Sequence, residues 1–166
     1  MVLAYLSAPI IHSGLRKDDF CSTAISVLEE KGVTVFAPQL LAPAEPDIIF
    51  KRDIDQVRKC DFLIAEISSP SLGVGMEIML SIELMKPVLL FHNSTVGPIS
   101  RMVLGADGKA LFTYSSMTDV STILNSINLE NLLVLKCPNC NSQVAEVNAE
   151  EIRCIQCGHI EKEVLR

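Results

Sequence analysis

Residues 61–77 read DFLIAEISSPSLGVGME, and this stretch decides the fold. Its first half, residues 62–67, is a short and nearly continuous apolar run, the pattern of a strand buried on both faces of a sheet. Its second half turns through Ser68, Ser69 and Pro70, passes two glycines, and enters an apolar segment of helical period over residues 75–85. A buried strand leading through a glycine-rich turn into a helix is the building unit of doubly wound α/β folds. Ligands of such folds bind at the carboxyl ends of the strands, where these turns lie.

Working outward, the same alternation continues in both directions. Strands are expected at residues 2–6, 33–37, 87–91 and 111–114, and helices at 16–31, 47–59 and 118–127, with a short one at 99–104. Phe20, Ala24, Val27 and Leu28 share one face of the first helix, and Gly32 closes it as a helix C-terminal glycine does. Asp47 is expected to cap the second helix, and residues 38–46 form a proline-rich loop. The order implies an α/β, Rossmann-like, doubly wound parallel sheet of five strands. Beyond Leu132 no βα unit follows, so two domains are expected, 1–131 and 132–166.

Chemistry concentrates at the end of the opening stretch. Glu77 lies in a segment where nearly every neighbour is apolar or glycine. A buried carboxylate is costly unless it is paired or used; the alternative is a partly solvated first-turn Glu favoured by the helix dipole. Gly73 and Gly75 let backbone approach a ligand, free N–H groups at the helix start favour an anion, and Ser71 adds a hydroxyl. Asp55 reads as a solvated helix face, whereas Asp53 is open to a second role. Two carboxylates converging on one sugar are the usual equipment for glycosidic cleavage. Tyr5, taken alone, is an ordinary strand aromatic, and Ser100 a helix cap. His92 reads as a surface-loop histidine, Met76, Met79 and Met85 as core filler, and Cys21 and Cys60 as small buried residues.

Residues 61–77 also resemble the signature of the nucleoside 2-deoxyribosyltransferase superfamily, and within it the 2′-deoxynucleoside 5′-monophosphate N-hydrolases. Tyr5 in the first strand, Asp53 before Asp61, Lys86-Pro87-Val88-Leu89, and Gly97-Pro98-Ile99-Ser100-Arg101-Met102 stand in the family's order. The resemblance implies that Glu77 is the nucleophile at C1′, forming a glycosyl-enzyme intermediate. It makes Asp53 the acid/base partner and Tyr5 a residue that positions Glu77 or the sugar. It also implies that Ser71 binds the 5′-phosphate, with Gly73, Gly75 and Ala8 beside it. By the same resemblance Ser100 binds the phosphate too and is contributed from the neighbouring subunit, which implies a homodimer. The free-nucleoside transferases carry Asp at the Ser71 position, so Ser71 favours a monophosphate. In one place the chain departs from the pattern. Where the hydrolases have Gly-Ser-Ile-Arg, it has Ala8-Pro9-Ile10-Ile11, so Ile11 replaces a phosphate-gripping Arg and Pro9 has no N–H to give. His12, Arg16 or Lys17 are the cations nearest in sequence. Base exchange between nucleosides, a ribonucleotide substrate, and a non-catalytic nucleotide-binding module remain the alternatives.

The tail carries a separate signal. Cys137, Cys140, Cys154 and Cys157 form two Cys-x-x-Cys turns thirteen residues apart, the spacing of a tetrahedral site with four thiolate ligands. A structural Zn2+ ribbon is expected, with iron as the alternative metal. So short a segment needs metal to fold. From Lys136 onward four basic residues face five acidic ones, which disfavours nucleic acid and leaves a protein partner or a dimer brace as the ribbon's role.

Bulk properties exclude other classes. The formal net charge of −6 argues against a dedicated nucleic-acid binder. No apolar run is long enough to cross a bilayer, and the apolar start lacks the basic flank of a signal peptide. Unpaired cysteines in a metal-type spacing point to a reducing cytoplasm.

Overall fold

The computed structural model describes residues 1–148 and 151–162; Glu150, Glu163 and Arg166, counted in the tail's charge balance, lie outside them. Five parallel strands form the main sheet: β1 (Leu3–Ser7), β2 (Thr34–Phe36), β3 (Phe62–Glu66), β4 (Val88–Asn93) and β5 (Lys109–Tyr114), in the order β2-β1-β3-β4-β5. The direction of winding reverses between β1 and β3, so the switch-point crevice opens at their carboxyl ends.

Alternation along the strands sorts the core into two faces. Ala4 and Leu6 of β1 and Phe62 and Ile64 of β3 pack with Phe20, Ala24 and Leu28 of α1 (Asp18–Glu30). Val120 and Leu124 of α5 (Met117–Asn125) complete that layer. Tyr5, Leu63, Ala65 and Leu90 point the other way, against Val57 of α2 (Pro46–Lys59) and Val74 and Ile78 of α3 (Leu72–Glu83). A short α4 (Arg101–Leu104) precedes β5. Gly32 follows α1 at φ 75°, a conformation that suits glycine.

Several boundaries differ from the sequence reading. α2 starts one residue early, with Pro46 in its first turn and Glu45 at the cap; Asp47 instead accepts from Lys51 Nζ at 3.3 Å. α3 starts at Leu72 rather than 75, because Ser71 caps it through Val74 N–H. Gly73 therefore joins Gly75 inside the helix instead of lying in the turn before it. His92 is buried inside β4, its Nε2 3.0 Å from the Gly97 carbonyl. Met76, Met79 and Met85 are exposed, since the buried stripe of α3 is Val74, Ile78 and Ser81.

The tail forms an antiparallel sheet of β6 (Leu132–Val134), β7 (Val144–Asn148), β8 (Glu151–Cys154) and β9 (Ile160–Lys162). It is docked rather than tethered. Gln143 N–H donates to the Lys109 carbonyl of edge strand β5 at 2.8 Å, Gln143 Oε1 accepts from Gly108 N–H, and Val144 and Ile155 join the core beside Leu124 and Ile127. Buried Glu146 pairs with Arg153 and accepts the Asn128 N–H at 2.6 Å.

Candidate active site and metal centre

At the switch point β1 ends with Tyr5 and Ser7 on one face, two residues apart as the pleat requires. α3, entering from β3, turns Glu77 toward them. Tyr5 Oη donates to Glu77 Oε1 at 2.7 Å, and Ser7 Oγ donates to Oε2. Both carboxylate oxygens thus hold a hydroxyl donor, fixing the group while leaving a lone pair on each for another partner. The resemblance-based pair Tyr5 and Glu77 meets directly. Ser7 was missed, although a hydroxyl closing an otherwise apolar strand, in phase with Tyr5, was a visible signal.

Asp53 reaches the site from α2, and its negative charge is felt at Glu77. It is ion-paired to Arg52, whose Nε lies 2.7 Å from Asp53 Oδ1. Arg52 too was missed by sequence reading. Burial holds the Glu77 carboxyl above the ordinary carboxylate range; the Ser7 and Tyr5 hydroxyls counter this and Asp53 adds to it. Tyr5 is pushed far above a normal phenol, first by burial and then by Glu77, so it stays a donor at every working pH. A desolvated carboxylate held by two hydroxyls, with a second carboxylate nearby, is suited to attack an electrophilic carbon.

This arrangement sets a sign. Tyr5→Phe removes one of the two donors that favour ionised Glu77, while its ring keeps its packing against Phe36, 5.4 Å between centroids. The acid limb of kcat/KM is therefore expected to move to higher pH, with a loss at neutral pH of about tenfold or more, as for a hydrogen bond to a charged group. An unmoved pH profile would mean that the phenol does not hold the carboxylate.

The remaining expected residues surround the crevice. Ser71 Oγ is 3.5 Å from Val74 N, a weak cap bond. A Cβ built on Gly73 or Gly75 meets nothing within 4 Å, so open space lies at the start of α3, where first-turn N–H groups lack intrahelical partners. Ala8 is buried directly after β1, and Ile11 is exposed. Arg16 is engaged with Asp18 and the Ile10 carbonyl. Ser100 stands exposed at the start of α4 and makes no cap bond; among the described residues, no hydrogen bond joins it to Tyr5, Asp53 or Glu77. Glu66 is fully buried on the opposite face and accepts from Tyr114 Oη at 2.9 Å and from Ser68 Oγ.

The family model for nucleoside 2-deoxyribosyltransferase matches residues 4–129. The chain belongs to that family. Relatives include a candidate 2′-deoxynucleoside 5′-phosphate N-hydrolase of Syntrophotalea carbinolica, 35% identical over 86 residues, or 51% of this chain and 61% of that one. A 5-hydroxymethyl-dUMP N-hydrolase of Tetraodon nigroviridis is 43% identical over 60 residues, 36% of this chain and 42% of that one. The chain thus matches less than two thirds of the length of either relative. Among solved structures, a CMP N-glycosidase of Clostridium botulinum superposes with a TM-score of 0.60 at 22% identity, covering 74% of this chain and 98% of that one, which supports the fold. The family match ends at Leu129, before the cysteine pairs.

Those cysteines converge. Sγ atoms of Cys137, Cys140, Cys154 and Cys157 all lie within 4.8 Å of one another, with Cys137–Cys157 at 3.6 Å and Cys140–Cys154 at 3.7 Å. A tetrahedron of thiolates about 2.3 Å from a metal has edges of about 3.8 Å, so four such ligands could hold a metal ion. The separations are too long for disulfides, and all four cysteines are free. Gly158, at φ 74°, lets the second cysteine turn close.

Proposed function

We propose that this chain hydrolyses the N-glycosidic bond of (2′-deoxy)nucleoside 5′-monophosphates, releasing free base and (deoxy)ribose 5-phosphate. One observation carries the reading: both oxygens of a desolvated Glu77 are held by Tyr5 and Ser7 at the switch-point crevice, with Asp53 nearby. In this mechanism Glu77 attacks C1′ as the C1′–N bond breaks, giving a glycosyl ester. Water then attacks C1′ and frees the carboxylate. Tyr5 and Ser7 orient the nucleophile, and Asp53 acts on the base side as its acid/base partner. Ser71, Gly73, Gly75 and Ala8 line the anion end, where the α3 N-terminus favours phosphate.

The partner and metal readings belong to the same proposal. Ser100 reaches the site of a second copy, making a homodimer. In support, Leu72, Met76 and Met79 of α3 and Met102 of α4 are exposed apolar residues flanking the crevice's elements. The catalytic domain is 1–131 and the ribbon 132–166, braced by a structural Zn2+ in the four cysteines, with no cofactor for catalysis. The ribbon's outer surface is open to a protein partner. No described helix is long and apolar enough to cross a membrane, and free thiols suit work in the cytoplasm.

The substrate is tested with a panel of deoxyribo- and ribonucleoside 5′-monophosphates beside the matching free nucleosides, with and without an added acceptor base. Base release from monophosphates in water is expected. Turnover only of free nucleosides, and only with an acceptor base, would instead establish base exchange, a reading favoured by Ile11 standing where a phosphate-binding Arg is expected.

A further inference from the structure

Arg52 and Asp53 are consecutive residues of α2. Neighbours i and i+1 on a helix point about 100° apart and do not ordinarily meet. Here the guanidinium bends back to place Nε 2.7 Å from Asp53 Oδ1, and the pair is largely buried, with side-chain exposures of 26% and 12%. Only one nitrogen is engaged: among the described residues, neither Nη1 nor Nη2 of Arg52 makes a hydrogen bond. The charge sits close enough to the crevice to counter part of the upward push on Tyr5.

Glycosidic cleavage between two carboxylates puts the nucleophile on one side of the scissile bond and the second carboxylate beside the leaving group. With Glu77 as nucleophile, Asp53 and whatever adjoins it stand on the base side. When the C1′–N bond breaks, its electron pair stays on the base nitrogen, which must be protonated or stabilised as an anion. Asp53 serves there as the acid/base partner, but a negative charge developing on the base also calls for fixed donors beside it. The unpaired N–H groups beside it are donors that need no reorganisation as negative charge develops.

Resting on the glycosidase reading above, we propose that Arg52 is a catalytic residue of this chain that stabilises the departing base as an anion through its free Nη groups, while its Nε fixes Asp53. Glu77 Oε bonds to C1′ as C1′–N breaks, and the base leaves with the electron pair, hydrogen-bonded to Arg52. The base then takes its proton from water, relayed by Asp53. A second water adds to C1′, expels the Glu77 carboxylate and gives up its proton to the hydroxide left by the first, so that base-H and sugar phosphate form at the net cost of one water.

The test compares kcat on the best monophosphate substrate of the panel with kcat on the same nucleotide carrying an electron-withdrawing halogen on its base, which makes the base a better leaving group. Arg52→Gln is expected to lose about 100-fold on the parent, as for removal of one charge-stabilising donor, and much less on the halogenated substrate. Arg52→Lys, which keeps the charge and serves also if the Gln variant folds poorly, should fall between. Equal losses on both substrates, or no loss, would overturn the role of Arg52 while leaving the glycosidase standing. A wild type silent on every substrate would take down the function and this residue's part in it together.

Discussion

Glu77→Ala is expected to abolish base release, lowering kcat by about 10^4-fold or more, the scale seen when a covalent nucleophile is removed. Removing the Glu77 charge while keeping its shape should also stabilise the fold at neutral pH. Glu77 is held above its unfolded value chiefly by burial, so the folded state binds its proton more tightly than the unfolded chain does. Between those two values the wild type loses stability as pH rises, and above both it carries the full cost of a desolvated charge. Glu77→Gln, which keeps the shape and removes the charge, should therefore melt higher than wild type at pH 7. The difference should vanish once the pH falls below the ordinary carboxylate range. Activity loss together with this pH-dependent gain marks a residue strained for function. Activity loss with destabilisation at all pH values would instead make Glu77 a structural anchor for Tyr5 and Ser7.

Much of this site was legible in the sequence because its parts lie on elements that announce themselves. Residues 62–67 could hardly be anything but a buried strand, and Glu77 is the one charge in the first turns of an otherwise apolar helix. Tyr5 and Asp53 came from the family resemblance, not from periodicity. What stayed hidden depends on register between distant segments. Ser7 meets Glu77 across 70 positions of chain, and Glu66 meets Tyr114 across 48, because β1, β3 and β5 align their carboxyl ends. Hydropathy cannot rank such contacts. Met76 and Met79 misled for the opposite reason: they are apolar but sit on the outward stripe of α3, and a helix apolar on nearly every face gives no phase to separate inside from outside. Arg52 was invisible because helical neighbours are expected to diverge, whereas its Nε turns back to Asp53 Oδ1.

With a metal held by the four cysteines, as proposed above, stripping it is expected to unfold the ribbon and to weaken the sheet it rests on. Structural zinc in small Cys sites contributes on the order of 10 kcal/mol to folding, as much as the whole stability of an ordinary domain. The four-stranded tail has little core of its own, since Val144 and Ile155 are buried with Leu124, Ile127 and Leu129 in the layer that covers the main sheet. Unfolding it exposes that layer, frees buried Glu146 from Arg153 and from the Asn128 N–H, and uncovers the edge of β5 where Gln143 bonds Lys109 and Gly108. Cys154→Ser, or a chelator strong enough to compete for four thiolates, should therefore lower the thermal midpoint of the whole chain by about 5–10 °C, the scale of a few kcal/mol in a domain of this size. One metal per chain should be found by elemental analysis beforehand. These contacts lie at the start of β5, whereas Glu77 faces the carboxyl end of β1, so kcat well below the new midpoint should change little. A midpoint indifferent to chelation would mean that docking alone folds the tail. A collapse of kcat at low temperature would mean that the ribbon reaches the active site through the second copy.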